Sequence, residues 1–112
     1  MKNIRAIIRP EKVFDVLNAL ESEGFYAVTR VSILGRGKQR GLKVGSVYYD
    51  EIPKEMLMIV VEDSECDKVA GIIEKNAKTK LDDSKDGSHG DGKIFICEIE
   101  KSITISSGEE SL

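Results

Sequence analysis

A strand pattern, a helix pattern and a second strand pattern follow one another twice along this chain of 112 residues, and that doubling constrains the fold more than any other feature. Residues 4–9 (Ile-Arg-Ala-Ile-Ile-Arg) are β-rich and stop at Pro10, which has no N–H for a ladder but suits the first turn of a helix. From Glu11 onward, Val13, Val16, Leu17 and Leu20 stand at i, i+3, i+4 and i+7. That is the stripe of a helix with one buried face, and Gly24 follows where a left-handed cap is wanted. Residues 26–34 then alternate, with Ala27, Thr29, Val31 and Ile33 on one side and Val28, Arg30, Ser32 and Leu34 on the other. The second half repeats the order. Residues 56–61 form an apolar strand, Ser64-Glu65-Cys66-Asp67 has the form of a capping box, and a helix carrying Cys66, Val69, Ala70 and Ile73 follows before residues 93–99 close the unit as a strand.

Two β-α-β halves in a chain of this size predict one α+β domain over residues 1–112, a ferredoxin-like antiparallel sheet with both helices on one face. Such a sheet has a second face without helices, yet residues 56–61 offer it no polar side chain. Self-association is the simplest cover. Two connections, residues 35–51 and 80–92, are rich in Gly and charge and longer than the usual few residues. On a small rigid sheet, such segments are where function is expected.

Charge and composition exclude several classes. Seventeen basic residues against twenty acidic ones give a net charge of −3, so no diffuse positive field draws the chain to nucleic acid. The basic, Gly-rich first connection would suit RNA, but the strands lack the clustered aromatics that stack bases. No signal-peptide core and no stretch approaching a membrane span is present, so direct membrane insertion is not expected and a cytoplasmic location is. Cys66 and Cys97 stand far apart and away from His89, the only histidine, which leaves no metal-ligand spacing and no disulfide framework. Both cysteines read as small core residues. With His89 in a loop and no nucleophile or carboxylate pair placed beside a base, no catalytic residue is assigned and no enzyme is expected.

The second connection carries the strongest chemical signal. Gly87-Ser88-His89-Gly90-Asp91-Gly92-Lys93 satisfies the G-x-x-x-x-G-K half of a phosphate loop, but Ile94 follows where Ser or Thr would hold magnesium, and a strand follows where a helix dipole would help. Two readings stand on spacing alone: exposed amides and the Lys93 ammonium cradling phosphate, or a Gly-rich turn. Just before it, Asp82-Asp83-Ser84-Lys85-Asp86-Gly87 imitates the start of a calcium loop, yet Lys93 occupies the position that needs a bidentate Glu. A solvated acidic loop is the competing reading. The first connection is basic at its start and ends in Tyr48, Tyr49, Asp50 and Glu51, so it either folds back on itself or reaches for a partner.

The opening Ile-Arg-Ala-Ile-Ile-Arg-Pro, the Gly35-Arg36-Gly37-Lys38-Gln39 turn, Ile52-Pro53-Lys54, Gly90-Asp91-Gly92-Lys93-Ile94-Phe95 and Ser107-Gly108-Glu109 together resemble the PII nitrogen-regulatory proteins along the whole chain. The resemblance is closest to the nitrogenase-associated PII proteins of methanogens and anaerobic bacteria. It implies a trimer with ATP or ADP in clefts between subunits, and 2-oxoglutarate with magnesium at the base of a T-loop, residues 35–51. By position, Thr29, Gly35, Arg36, Gly37 and Lys38 would line the nucleotide, and Gly87 with Gly90, Asp91, Gly92 and Lys93 would wrap its phosphates. Arg9, Gln39 and Lys54 would engage 2-oxoglutarate, and the Gln39 amide oxygen would join the magnesium shell. The implied partners are further copies of the chain or a paralogous PII protein, and nitrogenase or another protein of nitrogen metabolism.

Three departures from the family pattern bear on this. Lys43 stands where the family has its modified T-loop tyrosine, in a shortened loop, so uridylylation is not expected, and Tyr48 and Tyr49 are left to pack or to meet a partner. An acidic insertion between Thr79 and Gly87 puts Asp82, Asp83 and Asp86 near the polyphosphate. Thr104 and Ser106 replace two arginines that clamp phosphates; a charge-assisted contact is worth roughly 1.5–3 kcal/mol, so losing two weakens nucleotide binding by about 100-fold or more unless other cations compensate. The resemblance therefore leaves two functions open: a nucleotide and 2-oxoglutarate sensor acting on nitrogenase, or a PII-like interaction module that has lost nucleotide sensing and holds a partner such as an ammonium transporter or a paralogous subunit.

Overall fold

Alternation decides which way each strand faces. In the computed structural model, which describes residues 1–36, 42–44, 47–49, 51–79, 87 and 90–112, β1 (Lys2–Ile8) buries Ile4, Ala6 and Ile8 and turns Asn3, Arg5 and Ile7 the other way. The strand β5 (Ile52–Val61) does the same with Leu57, Ile59 and Val61 against Met56, Met58 and Val60. These two are the inner pair of a four-stranded antiparallel sheet. The edges are β2 (Thr29–Gly35), beside β5, and β6 (Gly92–Glu98), beside β1, giving the order β2-β5-β1-β6. This is the ferredoxin-like α+β arrangement expected from the doubled pattern.

The helices α1 (Val13–Ser22) and α2 (Cys66–Ala77) cover one face. Val13, Val16 and Leu20 of α1 and Cys66, Val69, Ile73 and Ala77 of α2 form one apolar cluster with the inward residues of β1 and β5. Gly24 ends the first helical segment at φ +89°, the left-handed conformation expected there.

Several boundaries differ from expectation. Pro10 opens a short 3₁₀ turn, Pro10–Lys12, and α1 proper starts at Val13. The capping box at Ser64 does not form. Asp63–Glu65 make a second 3₁₀ turn that delivers Glu65 to the N-cap already in helical φ and ψ, with no side-chain cap. Ala70 is only half-buried, and Ala77 completes the buried stripe. The apolar strand begins at Ile52, four residues before the expected start, and accommodates Pro53 because β1 ends opposite Glu55 and leaves β5 one partner there. Cys97 is exposed, not a core residue: it lies on edge strand β6 opposite Asn3, on the face away from the helices.

Within residues 35–51, β3 (Leu42–Val44) and β4 (Val47–Tyr49) pair antiparallel with Leu42 opposite Tyr49 and Lys43 opposite Tyr48. The first connection thus folds back on itself. On the helix-free face of the main sheet, Ile7, Val31, Met56, Met58, Val60 and Phe95 sit with no element of the described residues packed over them.

Candidate anion-binding site at the ends of β1, β5 and β6

Strand pairing brings three distant segments to one end of the sheet. Arg9 directly follows β1, Lys54 lies near the start of β5, and Gly90 and Asp91 lead into β6. Antiparallel register puts Ile8 opposite both Glu55 and Gly92, so these positions must meet. The Lys54 ammonium donates to the Gly90 carbonyl. Arg9 Nε donates to Asp91 Oδ1 at 3.1 Å, in a pair whose side chains are 28% and 18% exposed.

Asp91 is held as well by Thr79, just past α2: the Thr79 N–H donates to Oδ2 at 3.1 Å and its hydroxyl to Oδ1 at 2.6 Å. Gly90 stands at φ +90°, a conformation that favours glycine, and a Cβ there would lie 3.2 Å from Arg9 Nη2 and 3.7 Å from Lys54 Nζ. Two cations therefore converge on one point of the backbone. Burial lowers the Lys54 pKa, and the Arg9 guanidinium lowers it further, against the opposing pull of Glu11 and Asp91. A lysine held below its ordinary value by burial and then by a second cation gains from an added negative charge. Beside it, a groove of about 290 Å³ is lined by Ile8, Ile73, Ala77, Asp91, Gly92 and Lys93.

The structure brings Arg9, Lys54, Gly90 and Asp91 together, with Gly87 against the Asp91 carboxylate and the stem of Lys78. Gly92 and Lys93 follow in β6, opposite Ile8 and Ile7. Gly35 and Arg36 close β2 at the same end, the Gly35 Cβ position lying 4.0 Å from the Lys54 stem. Thr29 is not brought in. It pairs with Met58, four positions along β5 from Lys54 and roughly 13 Å away at strand rise. Gly37, Lys38 and Gln39 lie outside the described residues, as do Asp82, Asp83, Asp86 and His89. Thr104 and Ser106 sit at a C-terminal turn whose Thr104 carbonyl accepts from the Ser107 and Gly108 N–H groups.

Sequence reasoning missed Thr79 and Glu11 as neighbours of the site, and assigned Asp91 to phosphates with no thought of Arg9. No local signal could have supplied this, since Arg9 and Asp91 are 82 positions apart. It missed as well a partly buried network on the helix face, where Arg30 Nε donates to Glu55 at 3.3 Å and the Ser32 hydroxyl lies 3.0 Å from the same carboxylate.

Comparison with known proteins settles the lineage. The family described as Nitrogen regulatory protein P-II matches residues 1–109. The chain belongs to the PII family. It is 48% identical to the "Nitrogen fixation nifHD region GlnB-like protein 1" of Methanothermococcus thermolithotrophicus over the full length of both chains. Its identity to the protein of that name in Methanothermobacter marburgensis is 46%, again over both chains entirely. It is also 42% identical to "Nitrogen regulatory protein P-II 2" of Methanothermobacter thermautotrophicus, covering 97% of this chain and 92% of that one. PII proteins are nitrogen-regulatory signal transducers and not enzymes, and the family binds ATP or ADP and 2-oxoglutarate. Among the described residues of this PII chain, no helix is long and apolar enough to cross a membrane.

Proposed function

We propose that this PII chain senses ATP or ADP together with 2-oxoglutarate and controls a protein of nitrogen metabolism, nitrogenase first, through residues 35–51. The observation that carries the reading is the convergence of the Arg9 guanidinium and the Lys54 ammonium on Gly90, which suits a dianionic carboxylate better than a neutral metabolite. Gly90 and Gly92, both at positive φ, open the backbone beside those cations where phosphates would need amides. Gly35 and Arg36, at the root of the first connection, lie at the same end of the sheet, so a ligand there acts where that connection leaves the strand. The names of the methanogen relatives, which place them in nifHD regions, support nitrogenase as the target.

Magnesium enters this reading through the Gln39 amide and the ligands' own oxygens. Among the described residues no group of three or more His, Cys, Asp or Glu is arranged to hold a metal; in this reading the ion is carried in by nucleotide and dicarboxylate. Assembly as a trimer, with copies of itself or a paralogue, would cover the apolar helix-free face and bring Thr29 of one subunit toward the phosphate segment of another.

Isothermal titration of the purified chain with ATP and ADP, each with and without magnesium and 2-oxoglutarate, tests the reading. The expected result is nucleotide binding strengthened by 2-oxoglutarate, with the dicarboxylate response lost in Gln39→Ala and Lys54→Ala. A 2-oxoglutarate response indifferent to both substitutions rules out this site. The C-terminal turn favours a second reading: it carries Thr104 and Ser106, and the nearby Lys101 is paired with Glu110. Partner capture that ignores nucleotide and 2-oxoglutarate would make the chain an interaction module, for an ammonium transporter or a paralogous subunit.

A further inference from the structure

We propose that Asp91, held in place by Thr79, is an internal anion for Arg9 and competes there with the carboxylate of an incoming ligand. The proposal rests on the reading of Arg9 and Lys54 as a dicarboxylate site.

Asp91 holds Arg9 at 3.1 Å and is itself gripped by both the N–H and the hydroxyl of Thr79. Charge-assisted bonds at partly buried groups are the strong ones, and Lys54 in turn is engaged by the Gly90 carbonyl. Both cations are thus held by oxygens of the second connection. A carboxylate arriving at Arg9 meets the negative charge of Asp91 in the place it must take, with Glu11 as a further anion near Lys54.

The exchange needs a hinge, and Gly90 provides one beside Asp91. Gly90 stands at φ +90° outside the ladder, and glycine alone passes among such conformations without steric penalty. When Asp91 leaves Arg9, the Thr79 N–H and hydroxyl lose the carboxylate they donate to. The converse follows from linkage. A phosphate that draws the backbone at Gly90 toward itself pulls Asp91 from Arg9 and so raises the affinity of Arg9 for a carboxylate. Nucleotide and dicarboxylate then assist one another through one displaced side chain.

The test is isothermal titration of 2-oxoglutarate into the full chain, with and without ATP and magnesium, for wild type, Asp91→Asn and Thr79→Val. Asp91→Asn keeps the shape and removes the charge, and is expected to bind 2-oxoglutarate without nucleotide about tenfold more tightly than wild type. Thr79→Val loosens the grip on Asp91 without touching any charge, and is expected to gain about threefold. In both variants the strengthening by ATP shrinks by the same factor. A structural defect moves affinity the other way, and Thr79→Val reports alone should Asp91→Asn not fold. Unchanged or weaker binding in the folded variants, with wild type binding normally, overturns the role of Asp91 and leaves the site intact. Absence of 2-oxoglutarate binding by wild type, even with ATP and magnesium, overturns the site and the role together.

Discussion

Gly92 is the residue at which sequence pattern and backbone geometry meet most tightly. Its φ of +123° lies where side chains are rarely accommodated, and a Cβ there would collide with the Ile7 carbonyl, which is backbone and cannot swing aside. The glycine therefore fixes how closely β6 starts against β1, and with it the position of Asp91 one residue earlier. Gly92→Ala is expected to lower stability by about 1–3 kcal/mol from the backbone conformation alone, seen as a drop in thermal midpoint. A variant as stable as wild type would mean that the strand start is free to move. Gly24, although also at positive φ, has nothing within 4 Å of its Cβ position, so only the conformational part of such a penalty applies there.

At the scale of elements, β2 is an edge strand that leans on β5, and the helix-face network decides how firmly. Glu55, buried on β5, accepts from Arg30 and Ser32 of β2, while Arg30 also lies 6.0 Å from the centre of the Phe14 ring on α1. The Arg30 hydrogen bond, foremost, and the Ser32 hydroxyl hold the Glu55 carboxyl below its ordinary pKa against the opposing effect of burial. A carboxylate with a depressed folded-state pKa stabilises above its unfolded value, and that stabilisation disappears as pH falls through the folded value. Chemical denaturation should therefore find wild type more stable than Glu55→Gln near pH 7, with the gap closing between about pH 5 and pH 3. A gap that stays constant over that range would show that the network acts by shape and not by charge.

Periodic burial is what a sequence discloses. The stripes Val13–Val16–Leu20 and Cys66–Val69–Ile73 and the alternation of β1 and β5 were readable because burial imprints a period on the chain. Cys97 and Ser64 were misread because an edge strand and a 3₁₀ turn leave no periodic trace. The anion site was legible in its members, Arg9, Lys54 and Gly90, through their resemblance to a known family. Its wiring through Asp91 and Thr79 was not, since only the three-dimensional register of β1 with β5 and β6 creates it.

For the whole molecule, one sheet face carries two helices, and the other carries the half-buried Ile7, Met56, Met58 and Val60 and the exposed Val31 and Phe95, with no helix over them among the described residues. Val31 is 42% and Phe95 47% exposed, which is expensive surface for a chain of this size unless another copy meets it. The proposed trimer also answers the separation of Thr29 from Lys54 along β5, because residues too distant within one subunit can face each other across two. Val31→Glu tests both points. Val31 lies on edge strand β2 opposite Met56, outside the helix-side core, so the substitution leaves the fold of one subunit intact while burying a carboxylate in any interface on that face. Sedimentation of the variant should give the mass of one chain where wild type gives three, and nucleotide binding should fall with it although Arg9, Lys54 and Lys93 are untouched. A Val31→Glu protein that remains trimeric would exclude this face as the contact, and one that becomes monomeric yet binds nucleotide as tightly as wild type would place the whole nucleotide site within a single subunit.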